Sequence, residues 1–290
     1  MSDHDYGISP GEEPIVDTRS EEKLRFGLSG NLRRLALVTG IAQFSMSVWV
    51  WQFGIFLEAS INHLWQIGLT FSIGTFGMIV GYAISGTIAD YIGRKNAMIF
   101  AFVPMIAGLV SLRFFPVWPL IPFEYASIEF GWAFIIIMTS AMPADEIAHT
   151  SGTNAARTFN MVLLPAFLVD GLSPVLAGFL LNAGYMAGDL HLLAAIGALV
   201  AIIATHRVVR ESLGQAVIEK AKAGSFIVLR GLGRNFWIFA AGMFGFVFVM
   251  NIAFPYLGNL IVNEWGVNES MYALAWGVWS ITCVILMYSI

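Results

Sequence analysis

Residues 77–95 read GMIVGYAISGTIADYIGRK. Gly77 through Ala89 carry no charge, and then Asp90, Arg94 and Lys95 fall within six residues before another apolar run opens at Ala97. That switch reads as the end of one membrane helix, a tight turn, and the start of the next. Gly77 and Gly86 let helix backbones approach closely, and Gly77 and Gly81 form the small-xxx-small pair that membrane helices use for packing. Gly93 is the residue able to take the positive φ of a tight turn. Asp90, at a helix end, needs a donor or a helix N-terminus for its charge. Arg94 and Lys95 suit the anionic surface of the inner leaflet.

The rest of the chain repeats the pattern. Of 290 residues, 58% are hydrophobic and 12% charged, and mean hydropathy is +0.75. Soluble domains carry about 25% charged residues, so lipid is the solvent for most of this chain. A span needs about 20 mostly apolar residues. Eight candidates meet or approach that length: Leu35–Leu57, Ile67–Ile88, Ala97–Phe115, Phe123–Met142, Phe159–Leu181, Leu190–His206, Phe236–Leu257 and Ala273–Ile290. The sixth and eighth are short.

Basic residues set the expected orientation, because Lys and Arg concentrate in cytoplasmic loops. With the N-terminus inside, the inner segments hold Arg19, Lys23, Arg25, Arg33 and Arg34, then Arg94 and Lys95, then Arg157, then Arg207, Arg210, Lys220, Lys222, Arg230 and Arg234. Of the 15 basic residues only Arg113 falls outside. The expected organisation is an acidic cytoplasmic tail and juxtamembrane segment over 1–34, a six-helix bundle over 35–207, a partly amphipathic cytoplasmic linker over 208–235, and two further helices over 236–290. The tail carries Asp3, Asp5, Glu12, Glu13, Asp17, Glu21 and Glu22 against Arg19 through residue 22, and reads as solvated and disordered. It lacks the basic start and apolar stretch of a signal peptide. No long basic run points to nucleic acid, and the single cysteine, Cys283, excludes an intrachain disulfide.

Gly77, Gly86, Asp90, Gly93, Arg94 and Lys95, at their spacing after the second span, resemble the loop motif of the major facilitator superfamily. Tyr91 departs from it, standing where that family usually has Arg or Lys. The resemblance implies a truncated form of a twelve-helix fold, its first six-helix bundle plus the start of the second. It also implies that the aspartate and arginine latch the outward-facing state, the arginine against an acid at the end of span four. Asp145 or Glu146 fits that place. Glu146 and Arg157 look like the acid-then-Arg pattern of sugar and metabolite porters, with ten intervening residues in place of six. Arg210-Glu211-Ser212-Leu213 resembles the Pro-Glu-Ser signature of the same porters without its proline. Ser173-Pro174 faintly resembles an antiporter motif, so symport and antiport both stay open.

Polar residues inside spans supply the candidate binding groups. Asp170 lies about twelve residues into span five, where insertion costs roughly 2.5–3.5 kcal/mol. It reads either as a proton-coupling or substrate-contacting carboxylate, or as a structurally paired one. Glu129, shallower in span four, reads as interfacial. Gln43 and Ser47, four apart, share one face of span one, and Ser45, Trp49 and Gln52 share another. Asn251, Pro255 and Asn259 repeat at four in span seven, with Pro255 expected to kink it. By analogy with the family's central cavity, Gln43, Ser47, Asn251 and Asn259 are cavity candidates, interhelical hydrogen bonding being their plainer reading.

Asp145-Glu146-Ile147-Ala148-His149 lacks the first histidine of a zinc-protease HExxH, which removes the two-His geometry. The five histidines, His63 and His191 among them in expected outer loops, form no cluster. Neither an intramembrane catalytic pair nor a GxxxxGK[ST] phosphate loop is found. The expected function is secondary transport of a small-molecule substrate by alternating access. Protons are the expected coupling ion, no cofactor is needed, and the setting is the lipid bilayer of the cell membrane. The alternatives are an intramembrane enzyme, a truncated non-transporting fragment, or an interaction module that needs a partner chain. Because Ile290 falls inside an apolar helix, the 290-residue chain is expected to be a fragment that does not transport by itself.

Overall fold

The computed structural model describes residues 28–61, 63–148, 155–214 and 233–289. The acidic tail and most of the linker lie outside the described residues. Among the described residues the regular structure is helical, with no sheet to bind the segments together. It runs α1 (Gly30–Ser47), α2 (Phe53–Ser60), α3 (Leu64–Ile92), α4 (Arg94–Phe114), α5 (Ile121–Ala148), α6 (Ala155–Asn182), α7 (Ala187–Val208), α8 (Arg234–Asn259) and α9 (Glu269–Ser289). Among the described residues, seven segments are long and apolar enough to cross a membrane, α1 and α2 counting as one. The 26-residue α8 adds an eighth of crossing length. This is an integral multi-pass membrane protein, and each expected span has its helix within a few residues.

Span one departs from expectation, because it is not one helix. α1 stops at Ser47, a 3-10 turn spans Val50–Gln52, and α2 resumes at Phe53. Trp49 supplies the reason. Its indole Nε1 donates to the Ser45 carbonyl at 3.0 Å, taking the acceptor that its own backbone N–H uses in a regular helix. The Trp49 N–H turns instead toward the Met46 carbonyl at 3.5 Å. The ring is fully buried, edge-on to Phe53 and Tyr125. Ser45 and Gln52 are buried with it.

Helix packing shows an internal twofold pattern. Span one (α1) packs on span five (α6) as span four (α5) packs on span two (α3). Span one meets span six (α7) as span four meets span three (α4), and spans three and six meet each other. Exchanging spans one to three for spans four to six therefore maps the main contacts onto themselves, the repeat logic of secondary transporters. α9 then lies along α6, and α8 meets α2.

Small residues make these seams. A Cβ on Gly77 meets the Ala126 carbonyl oxygen at 2.5 Å, and one on Gly81 meets Ala133 Cβ and the Phe130 oxygen, both at 2.8 Å. Both glycines hold α3 against α5. Gly86 does not share that role, contrary to the sequence reading. A Cβ there has nothing within 4 Å, because nine residues further on it faces away from α5. On the other seam, a Cβ on Gly277 of α9 meets the Gly171 oxygen of α6 at 2.7 Å. Gly178 sits against Ala273 one layer further along. Gly277→Val therefore collides with backbone, and at about 1–3 kcal/mol for overpacking it is expected to loosen α9 from α6. Cross-linking yield between engineered cysteine pairs on those two helices measures this.

Pro255 lies inside α8, which ends in a π-turn over Leu260–Glu264. The Pro255 carbonyl lies 2.5 Å from where a Gly54 Cβ stands, so α2 and α8 touch through bare backbone.

Candidate functional site

Asp170 is a point of convergence. α6 carries it to the face of α1 on which Gln43 and Ser47 stand one turn apart. Gln43 Nε2 donates to Asp170 Oδ1 at 2.9 Å and to Ser47 Oγ at 2.8 Å. Ser47 Oγ donates to the same carboxylate oxygen. The second oxygen, Oδ2, accepts from Ser280 Oγ of α9 at 2.6 Å. Three residues singled out in the sequence thus meet, and a fourth, Ser280, completes the shell. Ser280, which the sequence reading did not single out, sits one turn from Gly277 and so shares the face of α9 that packs on α6.

Magnitudes decide whether a charged carboxylate is tolerable there. Its insertion costs roughly 2.5–3.5 kcal/mol. Hydrogen bonds to a charged group contribute about 1.5–3 kcal/mol each, and Asp170 has three donors, so its charge is offset without a cation.

Asn259 does not join this site. Asn259 is buried, with neither side-chain polar atom partnered among the described residues, and it lies against Gly54 at the end of α8. Asn251 lies on α8, outside the described side chains.

A second constellation closes the end of the bundle that carries the Gly-Arg-Lys turn. Gly93, at φ 90°, makes the turn and leaves the first N–H groups of α4 pointing outward. Glu211 fills them: its carboxylate accepts from Arg94 N at 3.0 Å and Lys95 N at 3.1 Å. An acid at a helix N-terminus complements the helix dipole. Arg94 Nη1 pairs with Asp145 Oδ2 at 2.7 Å, and Ser212 Oγ donates to the same oxygen at 3.0 Å. Lys95 Nζ donates to the His206 carbonyl at 2.9 Å. Of the two candidate acids, then, Asp145 takes the arginine. Glu146, one residue on, points about 100° around α5 and accepts from Asn31 Nδ2 at 3.2 Å. Asn31 Oδ1 in turn accepts from Arg210 N at 3.1 Å. The result is a closed circuit through α1, α5, α4 and the segment after α7.

Asp90 stands apart from that circuit. The Asp90 carboxylate has no partner among the described residues. Arg157 lies exposed in the first turn of α6. Removing the cap with Glu211→Ala is expected to cost about 1 kcal/mol and to raise hydrogen exchange at the Arg94 and Lys95 amides. Unchanged exchange at those two amides sinks the capping role.

At the opposite end Arg113 gains a partner, and the readings of His191 and Glu129 change. Arg113, the lone basic residue expected there, pairs with Asp189 at 2.8 Å and ties α4 to α7. His191 is not in a loop: it is fully buried on α7, 5.0 Å from the Trp49 ring and 4.7 Å from the Phe56 ring. Glu129 is buried, not interfacial, because α5 starts at Ile121 and sets it two turns inside the bundle. Periodicity alone did not reveal which way either side chain turned. Among the described residues, no group of three His, Cys, Asp or Glu is placed to hold a metal ion.

The arrangement has a counterpart of known structure. A crystal structure of peptide transporter POT, a mutant in complex with sulfate, matches with a TM-score of 0.52 and 19% identity. The match covers 86% of this chain and 50% of that one. The likeness is one of fold. The chain spans half the length of the transporter it matches. No protein-family profile matches it, and no curated protein does.

Proposed function

We propose that this chain belongs to a secondary transporter of the major facilitator type, moving a small solute by alternating access with protons as the coupling ion. The observation that carries the reading is Asp170, a mid-span carboxylate held by α1 on one side and α9 on the other. The chemistry of its shell suits proton exchange. A charged Asp170 accepts three hydrogen bonds. A protonated Asp170 must donate one, and a serine hydroxyl can reverse to accept it. Ser47 and Ser280 both qualify, so either protonation state has a satisfied shell.

The coupling step follows from strength. Hydrogen bonds to an ionised acceptor are roughly twice as strong as neutral ones. Protonation therefore weakens the Asp170–Ser280 link and frees α9 to shift along its glycine seam. The Arg94–Asp145 pair and the Glu211 cap latch the other end of the same bundle, on the side assigned to the cytoplasm together with the N-terminus. The POT structure supports the fold of this reading. Its peptide substrate extends the proposal to short peptides as first probes.

The test uses proteoliposomes carrying the whole transporter to which this chain is proposed to belong, an imposed pH gradient and radiolabelled di- and tripeptides, sugars and carboxylates. Gradient-dependent accumulation of one class supports the reading. Accumulation of none, or accumulation indifferent to the gradient, overturns it. Ser280→Ala is expected to reduce gradient-driven uptake by about tenfold, the worth of ~1.4 kcal/mol, while leaving the helical content unchanged by circular dichroism.

A further inference from the structure

α1, α6 and α7 leave a cavity of about 750 Å³ between them. It is floored by Ala36, Gly40 and Phe44 of α1 and walled by Pro165 of α6 and Gly197 and Val200 of α7. Its form follows from small and imino residues. Gly40 lets Pro165 approach, at 3.3 Å from a Cβ position, and Gly197 does the same for Phe44 at 2.9 Å. Every lining residue but one is apolar, and the exception is Arg33. The flanking face of α6 and α7 exposes Leu168, Leu172, Ile196 and Leu199, so the groove opens toward the bilayer, and Asp170 is not among its lining residues.

Length and charge identify the occupant. Arg33 and Phe44 are eleven residues apart on α1, about 16 Å along the axis. That equals the depth of one leaflet in a hydrocarbon core about 30 Å thick. Arg33 lies in the first turn of α1, just ahead of the apolar run that opens at Leu35, and among the described residues its guanidinium has no ion-pair partner. An apolar trough one leaflet deep with a cation at one end matches an anionic lipid.

We propose that this groove seats one anionic glycerophospholipid, its acyl chain along the trough and its phosphate on Arg33. The lipid comes from the leaflet that the Gly-Arg-Lys turn faces, which the basic-residue distribution makes the cytoplasmic one. Asp170, Gln43 and Ser47 do not line the groove, and the site stands whether or not the chain transports a solute.

The test is native mass spectrometry of the delipidated protein, titrated with phosphatidylglycerol and phosphatidylcholine of identical acyl chains. One phosphatidylglycerol is expected to bind per chain, with a preference over phosphatidylcholine of about fivefold, the worth of one basic residue toward an anionic surface. Arg33→Gln should remove the preference. Arg34→Gln, on the neighbouring residue that does not line the groove, should leave it. Val200→Trp, which fills the trough, should weaken both lipids alike. Retained helical content by circular dichroism establishes that each variant is folded. Equal binding of the two lipids by the unaltered protein overturns the proposal. Loss of preference in Arg34→Gln as large as in Arg33→Gln overturns it too, as does displacement by glycerol 3-phosphate alone.

Discussion

Asp170→Asn is expected to reduce proton-driven accumulation by at least about tenfold while leaving solute exchange without a gradient close to normal. The substitution keeps the shape of the side chain and removes its titration. Gln43, Ser47 and Ser280 all donate to the carboxylate, and the amide that replaces it presents one oxygen and one NH2 group. Ser47 or Ser280 must reverse to accept from that NH2, as either does for a protonated Asp170 in the unaltered protein. The variant therefore mimics the protonated state permanently, with the link to α9 at neutral strength. The loss of one charge-assisted bond, about 1.5–3 kcal/mol, is tenfold or more in any equilibrium it biases. Uptake measured with and without a pH gradient reads the difference. A variant with the same gradient dependence as the parent removes Asp170 from coupling and leaves it a structural polar residue. An infrared difference spectrum gives a second reading, since a carboxylic acid carbonyl band that titrates in the parent must vanish in Asp170→Asn.

The second large effect separates two glycines of the loop motif that look equivalent in sequence. Gly77→Val should destabilise the folded protein by about 3 kcal/mol, the upper part of the overpacking range. A Cβ there stands 2.5 Å from the Ala126 carbonyl oxygen, and a backbone oxygen inside a packed helix does not swing aside. Gly86→Ala has nothing within 4 Å to meet. It should be neutral or stabilising by about 0.5–1 kcal/mol, the ordinary gain on replacing a mid-helix glycine. Unfolding titrations in mixed micelles rank the two. Equal cost at both positions contradicts the packing of α3 on α5. Equal cost only within the bilayer assigns Gly86 to a contact beyond the described residues.

Much of the fold was legible because membrane solvation is a local constraint. In lipid every backbone polar group must be paired within its own helix, so a run such as Ile67–Ile88 determines helix and crossing together, whatever its neighbours are. Glycine spacing made α3 readable as a packing helix, and Asp170 drew notice because a charge at that depth is costly wherever it points. Gln43 and Ser47 were legible as a pair because four residues make one helical turn.

Only the tertiary structure decided the rotation of each helix about its axis, and with it every partner. Asp145 and Glu146 are neighbours in sequence, yet one meets Arg94 and the other Asn31. Ser280 reaches Asp170 across 110 residues, and Glu211 reaches the α4 N-terminus across more than that. Gly77 packs and Gly86 does not. His191 and Glu129 look like surface residues in the sequence and are buried. A helix with apolar residues on all sides carries no amphipathic stripe to say which face turns inward. The seams of Gly77 on Ala126 and Gly277 on Gly171 set that rotation through backbone contact between segments far apart in the chain, and local sequence contains no record of it.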